Sequence, residues 1–394
     1  MQPNLAQLDA HLSAEGADAY LIEADSDDAN QLYLSGFDAS DPFVTTYVAD
    51  TGETQLLVSG LEYGRAKKES RADRVYRHAD FGFEYGDREA RYDMYASFLS
   101  RAADDDAAAL TVAVPSSFPL GSAEQLRERG VELVVDANDT IDGMRAVKTD
   151  EEIEDIRDAQ RANEAAMRTA EELIAAADVD ETGTLVSEGE PLTSEEVRSE
   201  IEITLLRHGC SLDETIVACG SQAADPHDRG SGPLSAGEPI IVDIFPKSKA
   251  TGYHSDMTRT FSKGQPSETI REWYDLTREA LEAALEAVEP GATGADVHEA
   301  ASEVYEAAGE PTLRSNPETE TGFIHSTGHG VGLDVHESPS LSPSGGELEA
   351  GHVITVEPGL YDPAHGGVRI EDIVVVTESG YENLTGYPIE LVVE

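Results

Sequence analysis

The chain has few of the residues on which several classes of protein depend. Of its 394 residues, two are cysteine and only six are lysine. Cys210 and Cys219 form neither a metal-binding nor a redox motif, which predicts free thiols in a reducing compartment. The scarcity of basic residues excludes nucleic acid as a partner, because phosphate binding needs clustered Lys and Arg. An anionic membrane surface is excluded for the same reason.

Long apolar runs are also missing. None approaches the roughly 20 residues that a membrane-spanning helix needs. The first residues, Met1 to Asn4, do not begin a basic region followed by an apolar core, so no signal peptide is expected. These absences predict a soluble cytoplasmic protein.

Negative charge is present in large excess. Asp and Glu number 79 against 27 Lys and Arg, so the formal net charge is −52. Such charge is typical of disorder, but 39% hydrophobic residues with regular apolar periods favour a folded chain. Like charges on a folded surface repel one another, and the Debye length falls to about 3 Å in 1 M salt. We therefore hypothesise that the protein works in concentrated salt, as in a halophile.

Apolar periodicity divides the chain into two parts. Helices and strands alternate up to residue 136, which predicts a small α/β domain, and 137–148 show no periodicity. A capping box, Thr149 with Glu152, then begins a long helix. Residues 180–191 are predicted to be a loop, and beyond them short strands surround two long helices. The predicted bounds are a first domain at 1–140, a linker at 141–150 and an α+β domain at 151–394.

Four carboxylates lie in or beside apolar, strand-like runs of the second part. They are Asp243, Asp256, Glu357 and Glu371. Several carboxylates that converge in a core cannot all ionise without a cation. The pattern therefore predicts a cluster that holds divalent metal.

A glycine-rich segment supplies a histidine. His329 lies between Gly328 and Gly330, which allow the backbone to approach a ligand closely. His336 follows seven residues later, where strand alternation gives the opposite face unless a bend or bulge intervenes.

Together these segments resemble the metal-dependent peptidases of pita-bread fold, namely X-Pro dipeptidases (prolidases), aminopeptidase P, methionine aminopeptidases and creatinase. The resemblance implies an α+β protein with a C-terminal pita-bread catalytic domain after a smaller α/β creatinase-like N-terminal domain. Its motifs are Val242-Asp243, Ser255 to Thr260, Gly328 to Gly330, Val356 to Gly359 and Arg369 to Asp372.

The resemblance also implies a dinuclear metal site. Its ligands would be Asp243, Asp256, His329, Glu357 and Glu371, with Asp256 and Glu371 bridging two ions. Glu357 would also be the general base for a water that bridges the ions. The oxygen-rich set favours Mn²⁺, with Co²⁺ or Zn²⁺ possible. No other cofactor is implied.

Two further residues would orient the ligands. Arg369 resembles the arginine that holds the bridging carboxylates, and Thr258 would assist through its hydroxyl. Asp243 and Asp256 are 13 positions apart, two more than in most members of the family, and a longer turn between them can absorb the difference.

Three histidines have alternative interpretations. By resemblance His227 would steady the scissile carbonyl or the intermediate, and His336 would contact the substrate near the leaving proline. His227 could instead be a solvated loop residue, and His336 could pair with Glu337. His325 could be a substrate contact or a hydrogen-bonded strand residue.

The resemblance implies hydrolysis of the peptide bond before proline in short peptides, by a homodimer. The substrate could be an X-Pro dipeptide or a longer peptide cleaved by an X-Pro aminopeptidase. The alternative is a pita-bread protein that binds peptides or partners without hydrolysis. Because the chain keeps all five ligands of the motif, we favour the enzyme.

Overall fold

The chain folds into two units, Met1–Arg145 and Ala146–Glu394. The computed structural model describes residues 5–83, 88–104 and 106–394. Within these ranges no helix has both the length and the apolar character needed to cross a membrane.

The first unit is built on one mixed sheet. Its strands are β1 (Ala19–Ala24), β2 (Phe43–Val48), β3 (Glu53–Val58), β4 (Arg74–Arg77), β5 (Thr111–Pro115) and β6 (Glu132–Asp136). Its helices are α1 (Ala6–Glu15), α2 (Ala29–Ser35), α3 (Tyr63–Glu69), α4 (Arg88–Ala103), α5 (Leu120–Glu128) and, at the end of the unit, α6 (Thr140–Ala146). The strand order is β4-β3-β2-β1-β5-β6, with β1, β5 and β6 parallel.

The apolar periodicity of the sequence did not predict the shortest helices of this unit. Helices α2, α3 and α6 have seven residues each, and two turns are too few to show a helical period. The loss of periodicity over 137–148 therefore did not reveal α6, which overlaps the predicted linker at 141–150. This helix starts where Asp136 accepts hydrogen bonds from the Thr140 N–H (3.0 Å) and hydroxyl (3.0 Å), a local cap that apolar periodicity does not reveal.

The second unit contains four long helices and many short strands. The helices are α7 (Asp150–Ala176), α8 (Ser194–Arg207), α9 (Glu268–Glu286) and α10 (Gly294–Ala308). The first strands are β7 (Asp178–Val179), β8 (Leu185–Ser187), β9 (Glu190–Pro191), β10 (Cys210–Ser211), β11 (Thr215–Cys219), β12 (Ile240–Ile244), β13 (Lys247–Ser248) and β14 (Met257–Lys263). The others are β15 (Gly328–Gly330), β16 (Glu337–Leu341), β17 (Val353–Val356), β18 (Gly359–Asp362), β19 (Gly366–Arg369), β20 (Asp372–Thr377), β21 (Gly380–Asn383) and β22 (Val392–Val393).

The two largest sheets of this unit are each covered by a pair of helices. Helices α7 and α8 pack on the sheet β11-β12-β14-β22, with a core that includes Ala166, Ile201 and Val242. Helices α9 and α10 pack on the sheet β16-β15-β17-β20-β21, with a core that includes Leu281 and Ile354. Each helix pair buries its apolar stripe against one face of its sheet, which leaves the other face available for polar side chains.

One predicted loop of the second unit is a small sheet. Strands β7, β8 and β9 pair antiparallel within the segment 178–191, so the prediction of a loop over 180–191 was wrong. Leu185 is completely buried there, but a strand of three residues is too short to alternate visibly.

Candidate metal centre

The four predicted carboxylates come from two sheets and line one cavity of about 750 Å³. Asp243 lies in β12 and Asp256 directly precedes β14. Glu357 follows β17, and Glu371 lies in the break between β19 and β20. The longer connection from Asp243 to Asp256 is absorbed by β13, which leaves the main sheet to pair with β10. Residues far apart in sequence are thus brought to one place.

His329 completes this group through its Nε2 atom. Its Nδ1 lies 3.1 Å from the Gly330 carbonyl, and because a carbonyl only accepts, Nδ1 carries the hydrogen. Nε2 is therefore available, 3.5 Å from Glu357 Oε1 and 3.8 Å from Asp256 Oδ2. A Cβ added to Gly328 or Gly330 would meet a backbone oxygen at 2.1 or 2.2 Å, so both positions require glycine.

Burial makes this cluster electrostatically unfavourable without a cation. It raises the pKa of Asp256 and of Glu371 well above the ordinary range, and the neighbouring carboxylates add to the effect. It also raises the pKa of Glu357 to about 7. Asp243 Oδ1 and Asp256 Oδ1 are buried without a hydrogen-bond partner among the described residues.

The donor set fits a metal. One ligand atom each from Asp256, His329 and Glu371 lie within 4.8 Å of one another. Carboxylate oxygens and an imidazole nitrogen are ligands that divalent ions accept. A cation would satisfy the unpartnered oxygens and offset the repulsion between the carboxylates.

Arg369 and Thr258 connect the two sides of the cluster. Arg369 donates from Nη2 to Asp243 Oδ2 (2.7 Å) and from Nε to Thr258 Oγ1 (3.1 Å). The Thr258 hydroxyl donates to Glu371 Oε2 (2.7 Å). These contacts agree with the orienting role predicted for both residues, which itself stays a prediction.

Tyr361, which sequence reasoning missed, extends this network. Its hydroxyl accepts from Arg369 Nη1 (2.8 Å) and lies 3.0 Å from His325 Nε2. His325 Nδ1 lies 2.7 Å from the Ser326 carbonyl, so it carries the hydrogen and Nε2 accepts from Tyr361. Burial lowers the pKa of His325 to about 3. Both ring nitrogens are occupied, which favours the hydrogen-bonded alternative for His325 over the substrate contact.

A bulge brings His336 beside His329. The register shifts between His329 and Gly330, and the two imidazole centroids are 4.2 Å apart. Glu337, the alternative partner considered for His336, forms a buried ion pair with Lys148 Nζ at 3.0 Å. His336 itself lines the cavity.

His227 lines the same cavity from an exposed loop. Its backbone N–H donates to Asp225 Oδ1 (3.0 Å), and Arg369 Nη1 reaches the carbonyl of the preceding Pro226 at 3.5 Å. The loop is thus tied to the network that holds the carboxylates. His227 is exposed to solvent at the cavity wall.

Arg259 is a second residue that the sequence did not single out. It is fully buried and donates to the Glu371 carbonyl (2.6 Å) and to Asp372 Oδ1 (2.8 Å). Arg259 is adjacent to Thr258 on β14 and points to the opposite face of the strand, so the only signal was a charged residue within a predicted strand.

Comparison with known proteins agrees with this geometry. The model of metallopeptidase family M24 matches residues 154–378, and that of the creatinase/prolidase N-terminal domain matches residues 4–147. The chain belongs to metallopeptidase family M24. This M24 chain is therefore a hydrolase that works with divalent metal ions. The predicted pita-bread domain, preceded by a creatinase-like domain, is confirmed, and the enzyme is supported over the non-hydrolytic alternative.

Relatives align over almost the whole M24 chain. It is 31% identical to the Xaa-Pro dipeptidase of Pyrococcus furiosus over 92% of each chain. The crystal structure of the prolidase from Pyrococcus horikoshii has a TM-score of 0.80 at 28% identity, covering 98% of this chain and 99% of that one. An X-Pro aminopeptidase from Thermotoga maritima has a TM-score of 0.77 at 28% identity, covering 96% and 98%.

Proposed function

We propose that the protein hydrolyses the peptide bond before proline in short peptides and that two divalent metal ions take part. The observation that carries the proposal is the convergence of five metal-binding side chains on one cavity. They are Asp243, Asp256, His329, Glu357 and Glu371. The relatives that are named for action on Xaa-Pro substrates support the choice of bond.

Each ligand has a proposed place. Asp256 and Glu371 would contribute to holding both ions, Asp243 would help to hold one, and His329 and Glu357 would help to hold the other. Mn²⁺ is the preferred ion, with Co²⁺ or Zn²⁺ as alternatives, because most donors are carboxylate oxygens. When bound, the ions lower the pKa of water and polarise the scissile carbonyl.

Glu357 is the proposed general base. It is half-buried in the cavity wall, next to His329 Nε2, and Thr355 Oγ1 lies 3.5 Å from its Oε1. Its backbone N–H donates to the Thr327 carbonyl at 2.7 Å, which fixes the start of the side chain. Glu357 accepts the proton that the attacking water loses.

The two histidines face the substrate in this proposal. His227 steadies the scissile carbonyl oxygen, and His336 contacts the substrate near the proline. Arg369 and Thr258 hold Asp243 and Glu371 in place through the hydrogen bonds described above. Their part is positional, because their donors are already directed at the ligands.

The proposal includes a homodimer in the cytoplasm. Free thiols at Cys210 and Cys219 agree with a reducing compartment. The creatinase/prolidase-like N-terminal domain is the part of the chain expected to contribute dimer contacts.

Substitution of the general base tests the mechanism. Metal-free protein is reloaded with Mn²⁺ in concentrated KCl and offered Ala-Pro and Ala-Pro-Ala, and release of alanine is measured. Glu357→Gln is expected to lower kcat by about 10²–10⁴ on whichever substrate is cleaved, because general base catalysis contributes that much. Glu282→Gln, on the exposed face of α9, is the control and should retain activity. Full activity of Glu357→Gln would contradict the mechanism, and the preferred substrate separates dipeptidase from aminopeptidase.

A further inference from the structure

Helix α7 carries an asparagine on the face that packs on the sheet β11-β12-β14-β22. Asn163 is completely buried, and Ala159 and Ala166, one turn before and after it, are buried too. An amide in such a core costs free energy unless its polar atoms are paired. Asn163 Oδ1 is buried without a hydrogen-bond partner among the described residues. Packing alone therefore does not explain this asparagine, and the paired part of its amide is the nitrogen, Nδ2.

This nitrogen reaches both ends of the connection between Asp243 and Asp256. Asn163 Nδ2 donates to the Ile244 carbonyl at 2.6 Å, and it lies 3.4 Å from Ser255 Oγ. These two partners are the direct neighbours of Asp243 and Asp256 in the chain. One NH₂ group, which has two hydrogens, thus connects the backbone beside one carboxylate with the side chain beside the other.

The segment that separates the two carboxylates leaves the sheet. The last paired residues of β12 and β14 are Ile244 and Met257, and the chain between them departs to pair with β10. A connecting segment is held less firmly than the strands that it joins. Asp256 lies at the end of this departure, one residue before Met257, so its position depends on contacts outside the strand pairing.

We infer that Asn163 is a positioning residue that holds Asp243 and Asp256 in the relative position in which they share a metal ion. It acts from the core of the second unit, because it is not among the described residues that line the cavity. The inference rests on the proposed function in one respect, namely that both carboxylates bind metal. It adds a helix to the sheets that carry the ligands.

A buried hydrogen bond that only stabilises the fold is the competing explanation. Asn163→Ala removes the amide and suits a helix, since alanine has the highest helix propensity. Thr277→Ala is the matched control on α9. Thr277 is also completely buried, and it accepts from the Tyr305 hydroxyl at 3.2 Å, outside the cavity lining. Both variants lose a buried hydrogen bond, but only one loses a contact beside the carboxylates.

The experiment measures Mn²⁺ binding by full-length, metal-free protein at one fixed KCl concentration. The electron paramagnetic resonance signal of free Mn²⁺ gives the Kd. Asn163→Ala should raise the Kd about tenfold, the lower end of the effect of residues that orient ligands, and Thr277→Ala should leave it unchanged. At saturating Mn²⁺ the KM for Ala-Pro should not change in Asn163→Ala, because the residue lies outside the cavity.

Ser255→Ala provides a second, milder variant. It removes the longer contact of Asn163 and keeps the one to Ile244, so it should raise the Kd for Mn²⁺ by less than Asn163→Ala does. In the Asn163→Ala background it should raise the Kd no further, because the contact is already lost. If Asn163→Ala fails to fold, Ser255→Ala against Thr277→Ala carries the test.

Three results would overturn the inference while leaving the proposed function intact. They are an unchanged Kd in Asn163→Ala, an equal rise in Thr277→Ala, and rises that multiply when Ser255→Ala is added to Asn163→Ala. Failure of the wild-type protein to bind Mn²⁺, or equally tight binding by Asp256→Asn, would instead overturn the proposed metal site, and this inference with it.

Discussion

Acidic side chains of the second unit occupy two contrasting regions, the cavity of the candidate metal centre and the outer face of α10. In the cavity, Asp256 and Glu371 are buried, and burial raises the pKa of both. On α10, Glu299 and Glu306 surround Arg314 in solvent. There a hydrogen bond from Arg314 lowers the pKa of Glu306.

The difference shows that the environment of an acidic side chain, not its residue type, decides whether it requires a compensating cation. An exposed carboxylate is stabilised by water and salt ions, so a nearby arginine adds little to its stability. A buried carboxylate loses its hydration and must be paired, protonated or bound to metal. Changes at buried acids should therefore have large individual effects, whereas changes at exposed acids should have small ones.

The largest effect on stability is expected at a buried acid that already has its cation. Lys148 and Glu337 have side chains only 1% and 5% exposed. Lys148→Met removes the cation of this buried ion pair and should lower the free energy of unfolding by about 3–5 kcal/mol. Arg314→Gln breaks exposed pairs and should cost less than about 1 kcal/mol.

Urea denaturation at constant KCl measures both variants. Adding Glu337→Gln to Lys148→Met removes the negative charge of the pair as well and should recover part of the loss. Equal losses in the free energy of unfolding for Lys148→Met and Arg314→Gln would contradict the difference expected between buried and exposed acids.

A smaller effect is expected from metal at the cavity. Mn²⁺ at 100 times its dissociation constant should stabilise the wild-type protein by about 2.7 kcal/mol, a rise in Tm of roughly 5–10 °C for a unit of this size. Asp256→Asn removes a ligand but also a repelled, buried charge. Without metal it should therefore melt above the metal-free wild type, and Mn²⁺ should raise its Tm little.

Thermal melts of chelator-treated and Mn²⁺-reloaded protein test whether Asp256→Asn melts above the wild type without metal and gains less from metal. A metal-induced rise as large in Asp256→Asn as in the wild type would exclude Asp256 as a ligand.

The smallest effect per residue is expected among the solvent-exposed acidic side chains, which together form an acidic coat. Glu299→Gln should change the free energy of unfolding by less than about 0.5 kcal/mol. The coat acts collectively instead, so the Tm of the wild-type protein should rise from low to multimolar KCl as its repulsion is screened. A Tm that stays flat or falls with KCl would contradict the hypothesis of a halophilic protein.

Much of the fold could be predicted from local patterns. The capping box of α7 is present, because the Thr149 hydroxyl and the Glu152 carboxylate cap each other's backbone N–H groups. The long amphipathic helices α9 and α10 were also predicted. Helices of two turns and strands of two or three residues were missed, since they show no measurable period.

The candidate site was predicted only in part, for a related reason. Asp243 and Glu357 could be found because a charge beside an apolar run is costly to bury. Tyr361 could not, because an aromatic residue in a strand is ordinarily part of a core. The place of His336 depends on a bulge, and strand alternation alone predicted the opposite face.

The sequence by itself determined which acidic residues would need a cation. A carboxylate in or beside an apolar run is expected to be buried, and burying its charge costs free energy unless it is paired. Only the tertiary structure decided which of them meet. Asp243 and Asp256 belong to one sheet, while His329, Glu357 and Glu371 belong to the other or to its edge. Their meeting depends on how two sheets pack across more than a hundred residues of chain, and no local pattern encodes that packing.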